Sequence, residues 1–201
     1  MMTDIQIEPE STALLLMDLD PPEHGEGEAG LAGRRTLSVI QALVAAARQH
    51  GLLVVHLRRA QRTDGTNADE MQHRPDDAVT AAADAADRPA LPPPLLGEPV
   101  VDTADCLTLQ RIHLERILVS GGISALLLAG YLDEVDFSHA LGLILEGGYR
   151  CLPVGDACLC PQPRPWQTVL HMPMEADDAG TTVVDSAEVL ATLRATSAVL
   201  T

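Results

Sequence analysis

Thr12-Ala-Leu-Leu-Leu-Met-Asp18 is an unbroken apolar run that ends on an acid. A strand with one wet face alternates apolar and polar residues. This one does not, so it is expected to be buried on both faces, as strands of parallel sheets are. The next segment, Gly33 to His50, carries Leu37, Ile40, Leu43, Val44 and Ala47 at helical spacing and stops at Gly51, a helix-end signal. Leu52-Leu-Val-Val-His56 predicts a second strand and Pro99-Val-Val101 a short third. Between them, residues 60–97 form a polar, Pro-rich connection with an Ala-rich helix over Asp76 to Asp87 and a breaker at Pro92-Pro-Pro94.

The alternation continues to the end. Leu107 to Ser120 predicts a helix closed by Gly121-Gly122, and Ala125-Leu-Leu-Leu-Ala-Gly130 a fourth strand. Asp133 to Glu146 predicts a helix closed by Gly147-Gly148, and Arg150-Cys-Leu-Pro-Val154 a fifth strand. Trp166 to Asp177 is expected to be helical, Thr181 to Val184 a sixth strand, and Ser186 to Thr196 a closing helix, with Ser186 as N-cap and Glu188 in its first turn. Strands alternating with helices predict a three-layer α/β fold: a Rossmann-like parallel sheet of about six strands, helices on both faces and right-handed crossovers. At about 100–200 residues per domain, and with no internal repeat or dividing linker, residues 1–201 are expected to form one domain.

Composition narrows the function. The chain is 46% hydrophobic but only 2% aromatic, so its core is aliphatic. Its 29 acidic residues outnumber 13 basic ones for a net charge of −16, and every basic residue is Arg. Nucleic acid and anionic membrane surfaces select positive charge, so neither is an expected partner. No apolar run approaches the ~20 residues that span a bilayer. Met1 to Glu10 is too polar for a signal peptide, so a cytoplasmic location is expected. Cys106, Cys151, Cys158 and Cys160 are then expected to be reduced thiols. Cys158-Leu-Cys160 lacks the two-residue spacer of a zinc knuckle.

In parallel sheets of this kind, ligands bind at the carboxyl ends of the strands, near the point where strand order reverses. That rule selects Asp18 and Asp20, His56, Asp102 to Cys106, and Tyr131 to Asp136. No glycine fingerprint follows the first strand, where Asp20-Pro-Pro-Glu-His24 stands instead, and there is no P-loop. No cofactor is expected.

The ordered set of motifs resembles the isochorismatase-like family of cysteine hydrolases, over residues 11 to 198. The matching segments are Leu14-Leu-Leu-Met-Asp18-Leu-Asp20, Val55-His56, Gly130-Tyr-Leu-Asp-Glu-Val-Asp136, Gly148-Tyr149-Arg150 and Asp156-Ala157. The resemblance implies a catalytic trio of Asp, Lys and Cys. Its Asp falls on Asp18, its Lys on Thr103 and its Cys on Asp136. The chain contains no Lys, and the zinc-ligand pair of nicotinamidases is missing after His56, so cysteine hydrolase and nicotinamidase chemistry are not expected. The resemblance also supplies a precedent: some family members dispense with the Cys and protonate a vinyl ether through the first-strand Asp, although they keep the Lys. The resemblance also implies a homodimer or larger homo-oligomer.

The substitution at position 136 has a chemical consequence. A helix N-terminus that would activate a thiolate would also favour the Asp136 carboxylate. If Asp18 shares its pocket, the two cannot both ionise cheaply, and one holds a proton near neutral pH. Such a pair can act as general acid and general base. The expected activity is hydrolysis or elimination on a small, carboxylated metabolite, with Asp18 and Asp136 catalytic and Asp20, Thr103, Tyr131, Leu132, Phe137 and His139 lining the substrate site. The alternative is a catalytically inactive relative that binds a small molecule or a protein. His139, three residues after Asp136, shares its helix face and can orient it. Arg58, Arg59 and Arg62 after the second strand suit a substrate carboxylate. Asp18, Asp20, Asp136 and His56 suit a divalent metal by ligand type, but no pair has a dedicated spacing and no metal is expected. Cys106 lies near the vacated Lys position, but Asp105 beside it disfavours the thiolate, which argues for a bystander. His24 lies in the acidic segment after the first strand, where either a lid over the pocket or, as surface loops more often are, a solvated loop is expected.

Overall fold

The computed structural model describes residues 5–18, 28–59, 91–103, 107–131, 142, 144–159 and 182–199. Among these residues there are five strands: β1 (Thr12–Asp18), β2 (Leu53–Arg59), β3 (Val100–Thr103), β4 (Ala125–Tyr131) and β5 (Arg150–Leu159). They form one sheet in the order β3-β2-β1-β4-β5, and all four neighbouring pairs are parallel. Helices α1 (Glu28–Gln49), α2 (Leu107–Ser120) and α3 (Ser186–Val199) flank it.

The alternation of side chains along each strand divides the core in two. Leu14, Leu16, Val54, Leu127, Ala129, Leu152 and Val154 pack with Ile40, Leu43, Val44 and Ala47 of α1 and with Val189 and Leu193 of α3. Ala13, Leu15, Met17, Val55, Leu57, Leu126 and Leu128 pack on the other face with Leu118 of α2 and with Ile144. This is the three-layer arrangement expected of the sequence. Ala13 through Met17 are each no more than 1% exposed, which accounts for the absence of alternation in the run.

The helix ends are built from glycine. At α1, Gly51 adopts φ +75°, its N–H bonds to the Arg48 carbonyl and that of Leu52 to the Ala47 carbonyl. This is the Schellman pattern, and it needs a residue at ease in the left-handed region. Gly122 with Ile123, and Gly148 with Tyr149, repeat the bonding. These turns return the chain to the amino end of the sheet in three or four residues.

Four expectations are corrected. The sixth strand, Thr181–Val184, reduces to a single parallel bridge between Val184 and Val154. β5 accounts for this: its register with β4 jumps from Leu128↔Pro153 to Gly130↔Cys158, so Val154 to Ala157 bulge out of the ladder and meet Val184. β2 runs past His56 to Arg59, because Arg58 and Arg59 pair with Asp102 and Thr103 of β3. β3 itself begins at Val100, since Pro99 has no N–H to donate. Ser186 is the first residue of α3, not its cap. Asp185 precedes it, and the Asp185 N–H donates to the Glu188 carboxylate at 3.3 Å, which is one half of a capping box. Ser186 instead donates through N and Oγ to Asp156 in the β5 bulge. The helices expected over Asp76–Asp87 and Trp166–Asp177 lie outside the described residues, as does most of that over Asp133–Glu146.

One polar cluster ties the β3 edge to the core. Arg48 donates to both carboxylate oxygens of Glu98, at 2.8 and 2.9 Å, and to the Pro93 carbonyl. Leu95 N–H donates to Glu98 at 2.8 Å. His56, 3% exposed, lies 2.8 Å from Glu98 through Nε2. A carboxylate only accepts, so Nε2 is the donor. His56 is therefore occupied within β2 and is not a residue of the strand's carboxyl end. Arg48, above all, holds the Glu98 carboxyl down at about 2. Burial lowers the His56 pKa despite Glu98. Both shifts act in one direction. Glu98 contributes stability above its ordinary pKa of 4.5, lost as pH falls toward 2, and His56 begins to oppose folding once pH drops below 6.5. Glu98→Gln is expected to cost about 2–4 kcal/mol at pH 7. Urea unfolding at pH 7, 5 and 3 should show the gap from wild type closing with acid. A constant gap would mean that the Glu98 charge contributes nothing.

Candidate functional site

The strand order reverses at β1: the chain runs outward through β2 and β3, then returns to place β4 on the other side. The carboxyl ends of β1 and β4 therefore flank the switch point, the place where open parallel sheets bind ligands. Asp18, the last residue of β1, is the register partner of Tyr131, the last residue of β4. On its other side Asp18 is in register with Arg58 of β2, which in turn pairs with Asp102 of β3. Across this edge the order of positions is thus Asp102, Arg58, Asp18, Tyr131. At the ~4.8 Å strand spacing, Tyr131 and Arg58 each start about 5 Å from Asp18, and Thr103, two strands away, about 10 Å.

The structure brings together Asp18 and Tyr131 and sets Thr103 on the same edge. Tyr131 is wholly buried and belongs to the core beneath α1 and α3. Asp20, Leu132, Asp136, Phe137 and His139 lie outside the described residues, as do His24, Arg62, Cys106 and Cys160. Sequence reasoning placed Arg58 in a turn after β2. It is a strand residue, half-buried, and its charge helps to lower the pKa of His56. The signal that would have found it is the pairing of β2 with β3, which local apolarity does not reveal.

Gly130 sets how closely β1 and β4 approach at this point. It has φ +126°, and a Cβ there would stand 2.0 Å from the Met17 carbonyl oxygen. The obstacle is backbone, so no side-chain rotation relieves it. The neighbouring thiol of Cys158 donates to the Leu128 carbonyl at 3.3 Å, beside the register jump. Burial raises the pKa of Cys158, and it pushes Cys151 up to about 12. Neither thiol supplies a thiolate at neutral pH, as expected of core cysteines. Asp156, of the Asp156-Ala157 motif, spends both carboxylate oxygens on Ser186 at the start of α3 and so anchors that helix. Among the described residues no three His, Cys, Asp or Glu side chains are grouped to hold a metal, and no helix is long and apolar enough to cross a membrane.

The isochorismatase domain model matches residues 12–188. Among solved structures, a cysteine hydrolase from Pseudomonas syringae pv. phaseolicola is similar at 17% identity and a TM-score of 0.64, over 94% of this chain and 95% of that one. An N-carbamoylsarcosine amidase from Thermoplasma acidophilum is 22% identical, with a TM-score of 0.57, over 88% and 96% of the two chains. An isochorismatase family protein from Desulfovibrio vulgaris is 23% identical, with a TM-score of 0.58, over 92% and 98%. At these identities the likeness is one of fold. No curated protein matches the sequence.

Gly130→Ala is expected to cost at least about 3 kcal/mol by forcing β1 and β4 apart. Gly142→Ala, where nothing lies within 4 Å of the added Cβ, should be neutral or stabilising. Thermal melts of the two variants beside wild type check this. Equal melting temperatures would show that the strands do not need the close approach.

Proposed function

The chain belongs to the isochorismatase family, and on that premise we propose that it is a hydrolase acting on a small, carboxylated metabolite by acid–base chemistry between Asp18 and Asp136. The supporting observation is the register of Asp18 with Tyr131 at the switch point. Asp136 follows Tyr131 by five residues, so the strand that ends beside Asp18 leads directly into the segment that carries the second acid.

Two carboxylates sharing one site do not both ionise, and the proton they retain makes one an acid and the other a base. The acid protonates the substrate's enol-ether carbon or its leaving group. The base takes the proton of the attacking water or, in an elimination, of the substrate carbon. Each turnover moves one proton out of the pair and one in, so no cysteine adduct and no redox partner is needed. Arg58, in register with Asp18, supplies positive charge for a substrate carboxylate, for which a guanidinium is a geometric match. Thr103 occupies the edge position where the resemblance places a lysine, in a chain whose 13 basic residues are all Arg.

The test is turnover of isochorismate, small amides and enol ethers by the wild-type chain, Asp18→Asn, Asp136→Asn and Arg58→Gln. Each Asn variant is expected to lose about 10²–10⁴-fold in kcat, the usual worth of a general acid or base. Arg58→Gln should act mainly on KM. The pH profile of wild-type kcat/KM should be bell-shaped, with one limb lost in each Asn variant. Undiminished turnover in Asp136→Asn would sink the pair, as would a wild-type chain that turns over none of the three classes.

A further inference from the structure

A groove of about 650 Å³ opens at the amino end of the sheet, between the second half of α2 and the starts of β2 and β3. That volume is in the range of pockets that hold small molecules. Its lining divides by chemistry. Leu53, Pro99 and Ile117 are apolar and half-buried, whereas His113, Arg116 and Ser120 are polar and exposed. Arg116, Ile117 and Ser120 follow His113 by three, four and seven residues. They therefore share one face of α2 with it and extend about 10 Å along the helix. Leu53 begins β2, and Arg58 lies five residues further along the strand. The groove is thus about 17 Å from the edge that carries Asp18 and is separate from that site.

The charge of the groove runs against that of the chain. The chain carries −16, yet the ionisable side chains that line the groove are Arg116 and His113. The acids next to these residues in sequence face elsewhere. Glu98, beside Pro99, is bound by Arg48 of α1 and by His56. Glu115, between the two basic residues, acts on Tyr149, whose pKa is raised by burial and then by this carboxylate. Tyr149 leads into β5, at the other side of the sheet. Among the described residues the ion pairs are those of Glu98, so neither Arg116 nor His113 is consumed by one. A guanidinium and an imidazole N–H one helical turn apart can hold the oxygens of one carboxylate. An inorganic anion would satisfy them but leave the apolar lining wet. A neutral hydrocarbon would cover the lining but leave the cation without a partner.

We propose that this groove binds a small organic acid, its carboxylate held by Arg116 and His113 and its hydrocarbon body laid against Leu53, Pro99 and Ile117. The last carbonyls of α2 form the negative end of the helix dipole. The carboxylate therefore sits toward His113, and the apolar body extends toward Ser120. The site draws on neither Asp18 nor Asp136, so it stands or falls apart from the proposed chemistry.

Benzoate titrated into the isotope-labelled full chain tests it, read by the NMR amide signals of Leu53, Ile117, Ser120 and Gly121. Saturating shifts of these signals are expected. Arg116→Gln should weaken the binding about 10-fold or more, as loss of a hydrogen bond to a charged group does. Circular dichroism of that variant should be unchanged, because Arg116 is exposed. Benzyl alcohol, which keeps the ring and lacks the charge, and inorganic phosphate, which has charge and no apolar body, should each bind more weakly than benzoate. Arg58→Gln should leave the titration as it is, which separates this groove from the edge beside Asp18. The proposal is overturned if those amides show no saturating shift, or if Arg116→Gln binds benzoate as wild type does. Phosphate binding as tightly as benzoate would mean an adventitious ion only, and benzyl alcohol doing so would mean apolar contact without recognition of the acid. Shifts of the same signals on concentrating the chain alone would show a second copy covering the groove, and would likewise overturn it.

Discussion

The burial of β1 on both faces and along both edges is the constraint on which the rest of the molecule depends. A strand between two parallel neighbours has every N–H and C=O in the ladder, so its backbone is satisfied without water. Its side chains then have to be apolar on both sides, and Ala13 through Met17 are. Two helical layers are needed to cover them, which is why α1 and α3 lie on one face and α2 on the other. The same burial makes the first polar residue of the run conspicuous. Asp18 stands where the ladder ends, and its charge is compatible with this fold only at that end.

Crowding at the centre of the sheet is relieved in particular places. Gly130 allows β4 to lie against the Met17 carbonyl. One step further out, β5 leaves the register that β4 would impose and bulges over Val154 to Ala157. The bulge is employed: it meets Val184 and turns Asp156 toward α3. At the opposite edge β3 has four residues and too little apolar surface to hold itself. Glu98, bound by Arg48, His56 and the Leu95 amide, fastens the segment that leads into it. The sheet is thus apolar at its centre and tethered by charge at its short edge.

What the sequence showed and what it hid divide along the same line. β1, β4 and the helix over Leu107–Ser120 were legible because burial on both faces, or a glycine at a helix end, writes itself into neighbouring residues. The extension of β2 through Arg58 and Arg59 was not, because those residues are strand only by virtue of β3, some forty positions away. Nor was the Glu98 cluster, whose members are separated by 42 and 50 residues and share no local pattern. Ser186 read as a cap because serine ordinarily is one. Here it is the first residue of α3 and answers to Asp156, a contact across 30 residues. Of the candidate edge, the sequence located Asp18 at the end of β1. It misplaced the cation beside that acid.

That cation bears on the chemistry proposed. A lysine beside a carboxylate can give up or take a proton, because its pKa falls readily on burial. Arginine stays charged under all ordinary conditions. A site whose neighbouring cation is Arg58 therefore cannot pass protons through it. Arg58 can only hold negative charge in place, by favouring the ionised form of a carboxylate or by binding that of a substrate. On the proposed reading, proton transfer falls to the acid at the end of β1. In the proposed pair, a second acid five residues beyond β4 would supply the difference in proton affinity that one carboxylate alone lacks. In a chain without lysine, the proposed pairing of an ionised and a protonated aspartate would give this fold acid–base chemistry at its switch point.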